Sequence, residues 1–155
     1  MSQSQANVRS LLLPVEEATL LLPSTVVAEI IPYSEPVAPD AGAPEWLLGT
    51  LLWRELRIPL VSVDAMLIGE PAPVGRRARI AVLKALGNRP GLPYFGIVTA
   101  NIPHLVHIAE GAIETLDDGA AANPVVAAEV LANGEPALIP NMDLIENQLH
   151  GALND

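Results

Sequence analysis

A mainly β protein, with about ten short strands and two short helices arranged as small barrels or a sandwich, is the fold class this sequence predicts. Three observations predict it. The 155 residues include 15 prolines, and each proline inside a helix removes a hydrogen bond and breaks a turn. Apolar residues come in short runs bounded by turn residues, the spacing of strands and not of long helices. Half of the chain is apolar (50%) against 17% charged, with a mean hydropathy of +0.36, far too apolar for a disordered tail. Aromatic side chains are scarce: Tyr33, Trp46, Trp53, Tyr94 and Phe95. The core is therefore expected to be Leu, Ile, Val and Ala. A chain of this length removes roughly 70% of its unfolded surface from water, enough for one domain or two lobes on one core.

The elements follow in order. Val8–Pro14 and Ala18–Leu22 read as two strands joined by a polar turn at Glu16 and Glu17. Pro23-Ser24-Thr25 is a turn or helix-start signal with Ser24 as its cap. Val26, Val27, Ile30 and Ile31 surround Glu29 until Pro32 stops the run; residues 32–44, with Pro32, Pro36, Pro39, Pro44 and Gly42, form a loop. Trp46 to Trp53 is apolar except for Thr50, Arg54-Glu55 is a hairpin tip, and Arg57 to Val63 returns. Alternation puts Ile58, Leu60 and Ser62 on one face and Arg57, Pro59, Val61 and Val63 on the other. Asp64 is expected to cap a short helix through Leu67, ended by Gly69 and Pro71.

A loop from Glu70 to Gly75 precedes a buried strand at Arg79–Leu86, a turn at Gly87–Gly91 and a strand at Tyr94–Ala100. Leu105–Ile108 is a further strand, and Asp117-Asp118-Gly119 a turn. Asn133-Gly134, the strongest hairpin signal in the chain, joins Val125–Leu131 to Glu135–Ile139. Asn141 or Asp143 then starts a terminal helix through Leu149, with Leu144, Ile145 and Leu149 on one face and His150 on its surface.

Charge is segregated along the chain, whose net charge is −10. Residues 54–89 hold Arg54, Arg57, Arg76, Arg77, Arg79, Lys84 and Arg89, while Arg9 is the one other basic residue. Such an acidic chain repels a phosphate backbone, so no nucleic-acid partner is expected. The arginines at 76, 77 and 79 read as a solvated strand and turn, or as a local basic face for an acidic partner.

No cysteine is present, which excludes disulfides, thiolate metal sites and thiol nucleophiles and fits a reducing compartment. The apolar run Leu11–Val15 is too short for a secretory signal. The longer apolar stretches are interrupted by Glu29 and Arg54, so no membrane insertion is expected and the protein reads as cytoplasmic.

No catalytic constellation emerges. There is no phosphate-binding G-x-x-x-x-G-K loop, no G-x-G-x-x-G and no G-x-S-x-G elbow. His104 and His107 follow Pro103 among β-branched neighbours, which makes an extended chain that points them apart; only Glu110 is near as a carboxylate. The expectation is no enzyme, no metal and no cofactor. Trp46 reads as core or rim packing. Trp53, next to Arg54 at the hairpin tip, joins two side chains enriched at protein-binding hot spots, so an exposed apolar patch is expected there. The alternative is a regulatory β-barrel holding a small anion with Arg54, Arg57 and the Arg76–Arg79 cluster.

The segment Leu47–Gly69, LLGTLLWRELRIPLVSVDAMLIG, resembles the signature of CheW-like adaptor domains: Gly49 opens a strand, Arg54 ends it at a turn, and Pro59 starts the return strand. Val27-Ala28-Glu29-Ile30, the proline-rich loop and Pro44 match upstream. The resemblance covers residues 10–150 and lies nearest the ChpC-type members of type IV pilus chemosensory systems. It implies two small five-stranded barrels on a shared apolar core. Residues 1–9 are then a flexible N-terminus and 151–155 a tail. It implies a scaffold between the cytoplasmic tip of a methyl-accepting chemoreceptor and the regulatory domain of a CheA-type histidine kinase. By position, Arg54 would contact a partner, Val27 and Glu29 would lie near that surface, and Gly49 and Pro59 would be architectural. Three positions depart from the family pattern: Leu52 stands for an asparagine, Glu55 for a glycine and Ser62 for an aspartate. Glu55 is placed to draw Arg54 into a local pair.

Overall fold

The computed structural model describes residues 8–109, 111–116 and 123–153. The chain enters through β1 (Val8–Pro14) and β2 (Thr19–Pro23), makes one 3-10 turn (Ser24–Val26), and continues through β3 (Val27–Pro32), β4 (Leu47–Trp53) and β5 (Leu56–Val61). Helix α1 (Val63–Ile68) leads to β6 (Arg79–Lys84), β7 (Tyr94–Thr99), β8 (His104–Ile108), β9 (Ile113–Leu116), β10 (Val126–Ala132) and β11 (Glu135–Pro140). Helix α2 (Met142–Leu153) closes it.

The strands form two sheets, one of six in the order β8-β1-β2-β11-β10-β9 and one of five in the order β3-β6-β7-β5-β4. The mainly β, two-lobed expectation stands, with one correction: one lobe has six strands, not five. The additional strand is β9, which the sequence hides. Ile113-Glu114-Thr115-Leu116 is short and mostly exposed, and among the described residues it pairs with β10 alone, at the sheet's edge, so it carries no buried apolar run.

Three apolar clusters explain the layering. Leu51, Trp53, Ile58, Leu60, Ile80 and Val82 fill the five-stranded lobe. Leu21, Ile108, Val130, Ala132 and Ala137 fill the six-stranded one. Between them lies a larger core built from both sheets and α2, including Leu13, Leu20, Leu22, Val61, Leu83, Phe95, Ile97, Ile145 and Leu149. β5 shows how the alternation works: Ile58 and Leu60 enter the lobe core while Val61 enters the shared one. A strand buried on both faces reads as a continuous apolar run, which is how Leu56–Val61 ends.

Local chemistry sets the boundaries. Arg54 and Glu55 (φ 48° and 66°), like Asn133 and Gly134 (φ 51° and 83°), both take positive φ, the two-residue turn whose twist matches a hairpin. Ser62, and not Asp64, caps α1: its Oγ accepts from Ala65 N at 3.0 Å. Asp64 is 3% exposed and accepts instead from Glu17 N (2.8 Å) and Glu16 N (3.1 Å), fastening the β1–β2 turn to α1. Ser24 is no cap, since the 3-10 turn makes no side-chain cap bond and Pro23 holds that position. Asn141 caps α2 by accepting from Leu144 N at 3.1 Å, and the helix runs on to Leu153, past the expected end at Leu149 and into the expected tail.

Glu146, 1% exposed, is the second buried carboxylate. It accepts from Leu86 N and Gly87 N, each at 2.8 Å, and from Arg89 at 3.1 Å. The turn between β6 and β7 is thereby fastened to α2. At the N-terminus, Val8 and Arg9 pair with Ile108 and His107, so the first strand begins inside the segment expected to be flexible. β8 is extended, which turns His104 and His107 to opposite faces. Glu110 and the Asp117-Asp118-Gly119 turn lie outside the described residues. Among the described residues no helix is long and apolar enough to cross a membrane.

Candidate protein-contact site

The five-stranded sheet has β3 and β4 at its two edges. Among the described residues no strand ladder joins them; side chains and the loop do. Val37 N donates to Thr50 O (2.8 Å) and Thr50 N to Val37 O (3.0 Å), so the loop after β3 folds back along the free edge of β4. Gly49 permits this approach. At φ 142° it sits at a bulge in β4, and a β-carbon there would run into the Val37 carbonyl oxygen. It lies within the strand and not at its start.

At the open end of this seam the structure gathers three of the four residues that the sequence singles out. Glu29, placed just past a bulge in β3, turns one carboxylate oxygen to two donors on the β4–β5 hairpin. Glu29 Oε1 accepts from Trp53 Nε1 at 2.9 Å and from Arg54 Nη2 at 3.2 Å. The Arg54 guanidinium carbon stands 4.5 Å from the centroid of the Trp53 ring, cation–π range. That ring system also meets Tyr94, with centroids 4.8 Å apart and planes tilted by 59°.

This arrangement corrects two expectations. Arg54 pairs with Glu29 across the seam, and not with its neighbour Glu55. Trp53 is 5% exposed, so its ring makes no surface patch. The reason is the strand period: Leu51 and Trp53 turn inward while Thr50 and Leu52 turn out. The indole N–H reaches Glu29 at the rim, which spares a buried donor from going unpaired. The exposed apolar surface at the tip belongs to Leu52 (66%) and Leu56 (40%).

Val27 does not join this cluster. It is half-buried and packs on the shared core. Pro59 is the fourth residue of β5 and is buried there. It lies opposite Thr50, whose backbone groups both serve Val37, so the β4–β5 ladder requires no N–H at that point. Tyr33 packs on the lobe core, and its hydroxyl titrates above the usual 10.0 because burial disfavours the phenolate and Glu35 repels it.

The arginines of the anion-binding alternative do not converge. Arg57 donates to Thr50 Oγ1, Arg77 to Asn101 Oδ1 and Arg79 to the Ala78 carbonyl. A cleft of about 730 Å³ opens between residues 38–44 and the end of α2, with Trp46 in its wall, and none of these arginines lines it.

The sequence matches the CheW-like domain family over residues 9–149. The chain belongs to the CheW-like family. Comparison with curated proteins brings up no relative. Among solved structures, the CheW-like domain is similar to the scaffolding protein TtCheW from Thermoanaerobacter tengcongensis, with a TM-score of 0.72 and 15% identity over 91% of this chain and 88% of that one. At that identity the likeness concerns the fold.

Against the family pattern, the three departures sort by consequence. Ser62 keeps the helix cap that an aspartate makes, since both side chains accept from the first turn. Glu55 holds a left-handed conformation that glycine adopts without a β-carbon penalty. Leu52 exchanges a polar side chain for an exposed aliphatic one. Sequence reading missed Glu146 and the anchoring role of Asp64. The signal for Glu146 was its place four residues after Met142 and three before Leu149, inside the apolar stripe of α2.

Proposed function

We propose that this CheW-like domain is a non-catalytic adaptor coupling chemoreceptors to a CheA-type histidine kinase in a chemosensory pathway, of chemotaxis or of type IV pilus twitching motility. It acts in the cytoplasm, between the regulatory domain of the kinase and the cytoplasmic tip of a methyl-accepting receptor. Family membership supports the adaptor class. The observation that carries the choice of surface is the meeting of Glu29, Trp53 and Arg54 at the seam. A contact arginine held over an aromatic ring and against a carboxylate is pre-ordered, and ordering before binding lowers the entropy lost on association. Trp53 supports this surface from beneath, while Arg54 (64% exposed) and Glu29 (41%) present it.

Calorimetric titration with the kinase regulatory domain from the same cell, beside the Arg54→Ala variant, tests the reading. Micromolar or tighter binding, weakened in the variant, is the expected outcome. Silence from both the kinase domain and a receptor tip would overturn the adaptor function. Binding that ignores Arg54 would move the surface elsewhere on the domain.

A further inference from the structure

The outer face of the β4–β5 hairpin carries features that the seam does not use. Val37 and Leu52 are 62% and 66% exposed, the two most exposed large apolar side chains among the described residues. They are neighbours. Val37 pairs with Thr50, and Leu52 lies two residues on, so alternation puts all three side chains on one face. Arg57 stands directly opposite Leu52 in the ladder, and its bond to Thr50 Oγ1 at 3.3 Å confirms that it shares this face.

Arg57 differs from Arg54, the other arginine of this hairpin, in its partners. Arg54 meets Glu29, and Arg89 meets Asp143 and Glu146. Arg57 is exposed and held by a neutral hydroxyl, and among the described residues no carboxylate forms an ion pair with it. At Thr50 the free edge of β4 is closed to backbone pairing, because Val37 already occupies both of its groups.

Resting on the adaptor reading, we propose that Val37, Leu52 and Arg57 form a contact surface for a partner protein whose patch sets a carboxylate beside aliphatic side chains. Two adjacent exposed aliphatics offer apolar area whose burial drives association. A cation already fixed at their edge selects an acidic partner and sets orientation. Arg54, whose charge is shared with Glu29, contributes less than Arg57.

The test is calorimetry on the full chain against the kinase regulatory domain and the receptor tip from the same cell, comparing Leu52→Asn, Val37→Asn, Arg57→Gln, Arg57→Lys and Arg54→Ala. For a partner that binds the wild type, Leu52→Asn and Arg57→Gln are each expected to weaken binding by about fivefold or more. Arg57→Lys should retain most affinity, and Arg57→Gln should flatten the salt dependence that an exposed charge contact produces. All four positions are solvent-facing, so melting temperatures should stay within about 2 °C of wild type; Val37→Asn repeats the apolar test from a different segment. Wild-type binding that survives Leu52→Asn, Val37→Asn and Arg57→Gln unchanged overturns this surface and leaves the adaptor function intact. Loss on Arg54→Ala with Arg57→Gln silent overturns it in favour of the seam. Failure of the wild type to bind either partner overturns both.

Discussion

Glu29 has one oxygen serving two donors of different cost. Trp53 Nε1 belongs to a buried ring, whereas Arg54 is largely in water. Removing the acceptor therefore matters more than removing the exposed cation. Glu29→Ala is expected to destabilise by about 1–3 kcal/mol, the cost of an unsatisfied buried donor. Arg54→Ala should cost about 0–1 kcal/mol, the range of exposed pairs. Urea denaturation of both variants measures this, and equal losses would contradict the assignment of Glu29 to the indole. At the next residue the expected sign reverses. Glu55 sits at φ 66°, so Glu55→Gly should stabilise by about 0.5–1 kcal/mol, the relieved β-carbon strain less the added freedom of an unfolded glycine. A lower denaturation midpoint would show that Glu55 makes a compensating contact.

The two helices do at the level of elements what the seam does for residues. Each places a buried carboxylate under a turn of a hairpin: Asp64 of α1 under β1–β2, Glu146 of α2 under β6–β7. The turn amides that would otherwise be orphaned find an acceptor there. Glu146 also neutralises Arg89, which is 18% exposed. Glu146→Ala should destabilise by about 2–5 kcal/mol, because it leaves two turn amides without an acceptor and Arg89 with Asp143 alone. Hydrogen exchange reads the local part of this effect. The Leu86 and Gly87 amides are expected to exchange much faster in the variant, with Glu16 and Glu17 unaffected. Uniform acceleration at both turns would mean that the anchor acts only through global stability.

At the scale of the molecule, the shared core decides how the lobes behave. It draws Leu13, Leu20 and Leu22 from the six-stranded sheet, Val61, Leu83, Phe95 and Ile97 from the five-stranded one, and Ile145 and Leu149 from α2. Neither sheet can keep that face dry alone, so unfolding should be one cooperative transition with matching calorimetric and van't Hoff enthalpies. Leu149→Ala, at a fully buried position, should cost about 2–5 kcal/mol and lower that single transition. Two resolved transitions, one of them insensitive to Leu149, would show that the lobes fold independently.

Much of this architecture was legible in the chain because its signals are local. Prolines end strands by removing a donor, Asn133-Gly134 fits a positive-φ turn, and period-two alternation places Ile58 and Leu60 together. Gly49, Arg54 and Pro59 in their order mark the family for the same reason: they report backbone constraints within one hairpin. What the sequence left open depends on residues that meet across long separations. Glu29 and Trp53 stand 24 positions apart, Asp64 and Glu17 47, Glu146 and Gly87 59. No local pattern says which donor a carboxylate will find, so Asp64 reads as a cap and Arg54 as the partner of Glu55. A tryptophan beside an arginine likewise reads as a surface patch until the closing of the sheet turns its face inward. Composition and periodicity determined the strands and which side of each is apolar. Only tertiary packing, of one sheet edge against the other and of the helices against the hairpin turns, decided which polar groups are paired inside and which remain outside to meet a partner.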